Sequence, residues 1–337
     1  MEELLTICRL VRMSVFGTEE DIPKGADWQK IFSDAGFNGV SALCYEAVKR
    51  LPPDRQPDFS LMLRWDLSSQ VIREGFRHRH DVTQELRGIL ESKGIPMLLL
   101  KGETLAENYP RPDLRECGDV DFVALPNYLA ANSMFRSLGI KLKFQQKHSS
   151  FSYKGVHFEN HTLEHTGGYN RTHRRTMALL REALPNAVRR ADGCLELDPV
   201  TSAVFVVKHT AQHICYSGGR IPLRMLLDLA LVLKRHPAVL EAWDPKLGQV
   251  GLERFAEVML CVADTLLETG FRNGWGRKDK RLSNRFIRYF LTDSPRAMRY
   301  FVKFGYLPLT VSETVRICIE KMRFCFEKGQ EQINKEQ

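Results

Sequence analysis

The stretch of sequence that decides the fold reads 94-GIPMLLLKGETLAENYPRPDLRECGDVDFVAL-125. Its first part, Ile95–Leu100, is a short continuous apolar run and predicts a strand buried on both faces. A Lys-Gly turn ends that strand, and a helical stretch follows from Glu103 to about Tyr109, where Pro110 and Pro112 stop it. The last part, 118-GDVDFVAL-125, predicts a second strand.

Two carboxylates share one face of that second strand. Side chains alternate between faces along a strand, so Asp119 and Asp121 point the same way while Val120 and Phe122 point the other way. Two neighbouring carboxylates repel each other, and a shared divalent cation such as Mg²⁺, which prefers oxygen ligands, would make the pair favourable. Taken alone, so short and common a pattern favours two acids that lie in water or pair with arginines.

The order of strand, Lys-Gly turn, helix, arginine loop and Asp-x-Asp strand resembles the nucleotidyltransferase superfamily, whose members share a polymerase-beta-like core. The closer resemblance is to a bacterial branch, the uncharacterised nucleotidyltransferase family. The positions that carry it are Leu100, Lys101, Gly102, Leu105, Tyr109, Arg115, Gly118, Asp119, Val120 and Asp121. The Lys-Gly turn departs from the Gly-Ser or Gly-Gly turn of the wider superfamily, so a different contact with the triphosphate is expected.

The resemblance implies a metal site with three acids. Asp119 and Asp121 would bind two Mg²⁺ (or Mn²⁺) ions together with a third carboxylate, which lies on a strand adjacent to theirs in the sheet. Glu159 fits that role because the family strand ends in an acid, one residue and then His, as in Glu159-Asn160-His161. Glu164, in Leu163-Glu164-His165, is the competitor.

The resemblance also implies residues for the nucleotide. Lys101 and Arg115 would neutralise charge on the leaving pyrophosphate. Gly102, at the start of a helix, would let backbone N–H groups approach phosphate.

Several further residues are expected to line the cleft. The family has a His-x-x-x-His helix followed by a helix with Arg and Asp. The matching residues are His209, His213, Arg224 and Asp228. His161, on the strand of Glu159, is expected to line the cleft with them. The His209 helix lacks the glutamate of a zinc protease motif. A zinc cluster at His157, His161 and His165 is an alternative, discounted because no second cluster exists in the sequence and carboxylates suit Mg²⁺ better.

The function implied is transfer of an NMP from an NTP to a hydroxyl acceptor with release of pyrophosphate. The acceptor is a small molecule, a protein side chain or an RNA end. The alternatives are a nucleotide-binding protein that has kept the fold and lost turnover, and an RNA-binding module that uses a basic surface. Metal dependence separates the enzyme from both, and a steep salt dependence of binding would favour the RNA module.

Composition bounds the class of protein. The chain has 337 residues, 43% of them hydrophobic, and a formal net charge of +8, which suits an anionic partner. No apolar run approaches the ~18 residues of a membrane span, and the acidic N-terminus lacks the basic region of a signal peptide. The eight cysteines form no Cys-x-x-Cys pair. We therefore expect a cytoplasmic protein without a membrane partner.

The expected fold is α+β, with a small mixed nucleotidyltransferase sheet, its helices, and helical regions on either side. Three regions are predicted: an N-terminal helical region at 1–93, the catalytic core at 94–197 and a C-terminal helical region at 198–337. Lys154-Gly155 between two polar-apolar runs predicts a two-residue hairpin. A long helix is predicted from Phe59 to Ser92, with apolar positions at Leu63, Leu67, Val71, Phe76, Val82, Leu86, Ile89 and Leu90, and with His78 and His80 on its surface. A capping box, Thr310-Val-Ser-Glu313, predicts a last helix.

Overall fold

The computed structural model describes residues 2–145, 148–163, 171–216, 221–271 and 287. Its centre is a mixed sheet of seven strands in the order β3-β4-β5-β2-β1-β7-β6, flanked by helices, and the predicted α+β class is confirmed. The strands are β1 Met97–Leu99, β2 Asp119–Ala124, β3 Lys143–Phe144, β4 His148–Tyr153, β5 Val156–His161, β6 Val188–Arg189 and β7 Leu195–Glu196.

Helices precede, interrupt and follow the sheet. The α-helices are α1 Glu2–Val15, α2 Trp28–Phe37, α3 Ser41–Val48, α4 Phe59–Glu91, α5 Glu103–Ala106, α6 Tyr128–Ser137, α7 Arg171–Ala183, α8 Pro199–Tyr216, α9 Leu223–Arg235, α10 Val239–Ala242, α11 Asp244–Val250 and α12 Glu253–Leu267. Short 3₁₀ helices lie at Pro53–Arg55, Pro112–Leu114 and Leu184–Asn186. Asp58 caps α4 by accepting from Leu61 N.

Strand β2 is the fourth of the seven strands and pairs with β1 on one side and β5 on the other. It runs antiparallel to β1, with Leu99 opposite Phe122, and parallel to β5, with Asp121 opposite Glu159. β4 and β5 form the predicted hairpin, and its turn residues Lys154 and Gly155 have φ of 48° and 81°. Positive φ at both central residues matches the right-handed twist of the two strands.

The two faces of the sheet have different covers. One face is sealed by α4 and α6 over an aromatic cluster, in which Phe122 meets Phe135, Phe151 and Phe158 edge-on at centroid distances of 6.2–6.4 Å. On the other face Val123 packs with residues of α7 and α8, and this is the face of Asp119 and Asp121.

The long helix α4 uses two different faces along its length. Its second half packs on the sheet through Val82, Leu86 and Leu90. Its first half buries Trp65 among α2 and α3, where the indole N–H donates to Ser41 O at 3.0 Å. The predicted apolar positions Leu63, Leu67 and Val71 are 50–68% exposed, so these three side chains do not contribute to the core.

The helices of the two flanking regions share one hydrophobic core. Buried residues of α1, α3, α8, α9 and α12 belong to the same cluster, and Arg12 of α1 donates to Leu266 O at 2.8 Å. The division at residues 93 and 197 stays a prediction. Glu164, His165 and the predicted helix after Thr310 lie outside the described residues. Within the described part of the chain, no helix is long and apolar enough to span a membrane.

Candidate active site

Three carboxylates meet on the open face of β2 and β5. Asp119 and Asp121 share that face, and Glu159 stands directly opposite Asp121 in the parallel pairing. One oxygen from each carboxylate lies within 4.8 Å of the others. Asp121 is buried, while Asp119 and Glu159 are partly exposed. An all-oxygen donor set on two rigid strands fits a hard divalent cation.

Lys101 places a positive charge next to two of these carboxylates. Its Nζ lies 2.8 Å from Asp121 Oδ2 and 3.6 Å from Asp119 Oδ2. Burial alone would raise the pKa of Asp121, but Lys101 and His161 outweigh it and hold the pKa well below its usual range. Burial would likewise lower the pKa of Lys101, and the two aspartates raise it instead. The ammonium therefore supplies the charge that a cation between the two aspartates would supply, which is a further sign that the position suits a cation.

Histidines border the carboxylates on the β5 side. His161 Nε2 donates to Asp121 Oδ1 at 2.8 Å and lies 3.4 Å from Glu159 Oε2. Burial would lower the pKa of His161, but its contacts with these two carboxylates raise it. His148, a residue that the sequence analysis missed, lies opposite His161 in the β4–β5 pairing. The predicted turn could have located His148. A two-residue turn at 154–155 pairs residues whose numbers add to 309, and it therefore pairs His148 with His161.

The turn after β1 is built around Gly102, whose φ is +81°. A Cβ at this position would lie 3.2 Å from Cys117 Sγ, so the turn requires glycine for its backbone conformation and for its close approach to the loop before β2. Arg79 of α4 donates to Cys117 O at 2.7 Å and supports that loop from behind. His78 is exposed as predicted, whereas His80 is only partly exposed.

Next to Gly102, His80 holds the first residue of α5. Its Nδ1 donates to the buried carboxylate of Glu103 at 3.1 Å. Burial acts to lower the pKa of His80, but the hydrogen bond to Glu103 is the larger effect and raises it. Neither Arg79 nor His80 belongs to a motif that the sequence analysis used, because both depend on where α4 crosses behind the turn.

Arg115 forms a buried ion pair with Asp228. Its Nε donates to Asp228 Oδ1 at 2.7 Å, its Nη2 donates to Asp228 Oδ2 at 2.8 Å, and the Tyr109 hydroxyl donates to Oδ1 at 2.7 Å. Burial would raise the pKa of Asp228, but Arg115 outweighs burial and lowers it. Two motif residues of the loop are thereby tied to α9. The Nη1 atom of Arg115 is buried and has no hydrogen-bond partner among the described residues. The expected contact of Arg115 with pyrophosphate would therefore have to be made by Nη1.

A small cavity of about 30 Å³ opens beside Asp119. Most of the sequence-predicted residues line it, namely Lys101, Gly102, Arg115, Asp119, His209, Arg224 and Asp228. Burial, Lys101 and His213 lower the pKa of His209 well below its ordinary value, so its imidazole is neutral at pH 7. Arg224 donates to Glu116 O and lies against Gly39. His213 and His161 do not line this cavity: His213 lies one turn beyond His209 on α8, and its pKa is lowered to about 4 by burial, Lys101 and Arg224.

A model of one protein family, described as an uncharacterised nucleotidyltransferase, matches residues 24–268. The chain belongs to the uncharacterised nucleotidyltransferase family. That match confirms the resemblance carried by the Lys-Gly turn and the Asp-x-Asp strand, and it spans every candidate site residue named above. No curated protein and no solved structure matches the chain. Family membership supports nucleotidyl transfer as the general activity, with an NTP as the substrate.

Proposed function

We propose that this nucleotidyltransferase moves an NMP from an NTP to a hydroxyl acceptor in a reaction that depends on Mg²⁺ or Mn²⁺. The observation that carries the proposal is the meeting of Asp119, Asp121 and Glu159 on two adjacent strands, with oxygens within 4.8 Å of one another. These three residues would hold the metal, which when bound stabilises charge on the attacking and leaving oxygens.

The side chains that line the small cavity beside Asp119 suit phosphate groups. Lys101, Arg115 and Arg224 bring positive charge to its lining, and the glycine at 102 leaves the backbone open to phosphate. Asp119 and Asp121 would hold the metal, and Lys101, which pairs with them here, would then be available to pair with phosphate oxygens of the NTP. Arg115 acts mainly as a positioning residue through Asp228, and its Nη1 remains for one phosphate oxygen.

The transfer is an in-line displacement at the α-phosphorus. The acceptor oxygen forms a bond to phosphorus, the bond between phosphorus and the bridging oxygen breaks, and pyrophosphate leaves with the electron pair. The acceptor proton passes to solvent through Glu159, which is partly exposed at the rim of the site. The neutral His209 offers the cavity a hydrogen-bonding group without a further positive charge.

The experiment incubates the full chain with each α-³²P NTP and Mg²⁺ or Mn²⁺, with cell-lysate fractions as the source of acceptor. We expect metal-dependent label transfer and pyrophosphate release with wild type and at least about a hundredfold less with Asp119→Asn/Asp121→Asn. Asp113→Asn, a loop carboxylate paired with Arg111, is the matched control and should keep the wild-type rate. Equal rates for wild type and the double variant would contradict the enzyme, and NTP binding without transfer would favour the binding protein.

A further inference from the structure

A second set of metal-ligand side chains lies beside the three carboxylates. His148, Glu159 and His161 each offer one ligand atom, and these atoms lie within 4.8 Å of one another. His148 Nε2 lies 3.5 Å from Glu159 Oε1, and His161 Nε2 lies 3.4 Å from Glu159 Oε2. The two imidazoles thus approach opposite oxygens of one carboxylate.

The backbone fixes this arrangement. His148 and His161 are paired residues of the β4–β5 hairpin, and Glu159 is two residues before His161 on the same face. The imidazole centroids are 5.0 Å apart. The side chains of His148, Glu159 and His161 are 12%, 22% and 21% exposed, so the group is shielded and yet reachable from solvent.

The chemistry of this donor set differs from that of the aspartates. Imidazole nitrogen suits zinc, iron, nickel and copper, whereas Mg²⁺ is bound through carboxylates, phosphates and water. Two histidines and one carboxylate with open positions form a ligand set used for divalent transition metals. Glu159 belongs to both sets and would bridge them.

We propose that His148, Glu159 and His161 bind a divalent first-row transition-metal ion, of the class of Zn²⁺ and Fe²⁺, in preference to Mg²⁺. The inference rests on the proposed function in one respect, since it names the second cation of the same site. The aspartates then take the cation that accompanies the triphosphate, and the histidines give the neighbouring position its metal specificity.

His157 provides the matched control. It lies on the same face of β5, two residues before Glu159, with Nε2 3.8 Å from Glu159 Oε1. It is half exposed and does not belong to the group of three ligand atoms. A change at His157 therefore removes an imidazole from the same strand without removing a ligand.

The test is a Co²⁺ titration of the full chain without nucleotide, followed by visible absorption and calorimetry, with a parallel Mg²⁺ titration. We expect Co²⁺ to bind at least about tenfold more tightly than Mg²⁺ and to show the absorption of nitrogen-ligated Co²⁺. His148→Gln should weaken Co²⁺ binding by at least the roughly 10- to 100-fold that loss of a supporting residue causes, and His157→Gln should leave it unchanged.

Two results would overturn the proposal: Co²⁺ binding no tighter than Mg²⁺ binding, or equal Co²⁺ affinities for His148→Gln and His157→Gln. If circular dichroism shows that His148→Gln is unfolded, the imidazole ¹⁵N resonances of wild type decide, because Zn²⁺ must shift those of His148 and His161 and leave that of His157. Co²⁺ binding through histidine without label transfer would refute the proposed function alone. Label transfer with Mg²⁺ and no histidine-bound Co²⁺ would refute this inference alone.

Discussion

At the scale of single residues, the position of Lys101 has the largest functional consequence. Its ammonium lies 2.8 Å from Asp121 and 3.6 Å from Asp119. Without it, two acids on one strand face would repel each other, and the buried Asp121 would keep only its hydrogen bond from His161. The ammonium therefore offsets one of the two negative charges, and a metal ion held by both aspartates would have to displace it.

Lys101→Met should raise the affinity of the nucleotide-free protein for Mn²⁺ by on the order of tenfold, because the competing ammonium is gone. The same change should lower nucleotidyl transfer, because a charge for the triphosphate is lost. Calorimetry with Mn²⁺ and the label-transfer assay measure the two effects. Lys154→Met, which removes a lysine paired with Glu85 at the hairpin turn, is the control. A weaker or unchanged Mn²⁺ affinity in Lys101→Met would show that the lysine does not compete with the metal.

The Arg115–Asp228 pair is a second case of charge held in the interior. Asp228→Asn should lower the free energy of unfolding by about 3–5 kcal/mol, because it leaves the Arg115 guanidinium buried without its counter-charge. Urea unfolding measures the loss. Asp113→Asn breaks the more exposed pair with Arg111 and should cost at most about 1 kcal/mol. Similar losses in the two variants would mean that the buried pair is not a stabilising contact.

At the scale of elements, α8 brings its two histidines close to the charges of the site. His209 and His213 contact each other edge-on with centroids 4.7 Å apart. Both pKa values are lowered by burial first and by Lys101 second. A cation bound in place of the lysine would act on them in the same direction, so α8 is built to carry neutral imidazoles.

The lowered pKa of His213 predicts a pH dependence of stability. The unfolded chain takes up a proton near pH 6.5 and the folded chain only near pH 4, so this contribution is complete above about pH 6.5 and is lost as the pH falls to about 4. The loss is on the order of 3 kcal/mol. Urea unfolding between pH 7 and pH 4 should show a flatter profile for His213→Gln, whereas His78→Gln, on an exposed surface of α4, should follow wild type. Parallel profiles for wild type and His213→Gln would contradict the buried neutral imidazole.

Sequence patterns predicted the elements around the site well, because the signals there are local. The apolar run before Lys101, the Asp-x-Asp strand and the Lys154-Gly155 turn each depend on a few adjacent residues, and each element lies where it was predicted. The first half of α4 was predicted as a helix, but the residues that it buries were not, because the face that a helix buries depends on its neighbours. Trp65 is buried by α2 and α3, and the sequence of α4 alone does not predict that contact.

The site was predicted only in part for the same reason. Asp119, Asp121 and Lys101 belong to one local motif and could be read from it. His148 depends on strand register, and the partner of Arg115 depends on the packing of α9 against the loop. Arg115 carried the expected positive charge, but its main contact is with a residue 113 positions away.

At the scale of the whole molecule, the helices on either side of the sheet form one body. The family match begins at residue 24, after α1, yet α1 is part of the largest hydrophobic core. Leu10 is fully buried there, whereas Leu5 on the same helix is 44% exposed. Asp228 lies on α9, which contributes to this core, so its ion pair with Arg115 ties the loop before β2 to the helical body.

Leu10→Ala should lower the free energy of unfolding by about 2–5 kcal/mol, because it opens a cavity in the shared core. Leu5→Ala should cost well under half of that, because its side chain already contacts water. Urea unfolding measures both, and hydrogen exchange should show reduced protection in α12 for Leu10→Ala. Unchanged protection in α12 would indicate that α1 is an independent appendage.

The two ends of the sheet have a consequence for self-association. Its edge strands are β3 and β6. Each has two exposed residues, and they carry Lys143 and Arg189. An exposed edge strand can pair with a strand of another chain, and a short, positively charged edge strand suppresses such pairing. The described sheet thus offers a second molecule almost no backbone to extend, and a dimer built from this part of the chain would have to form through helices.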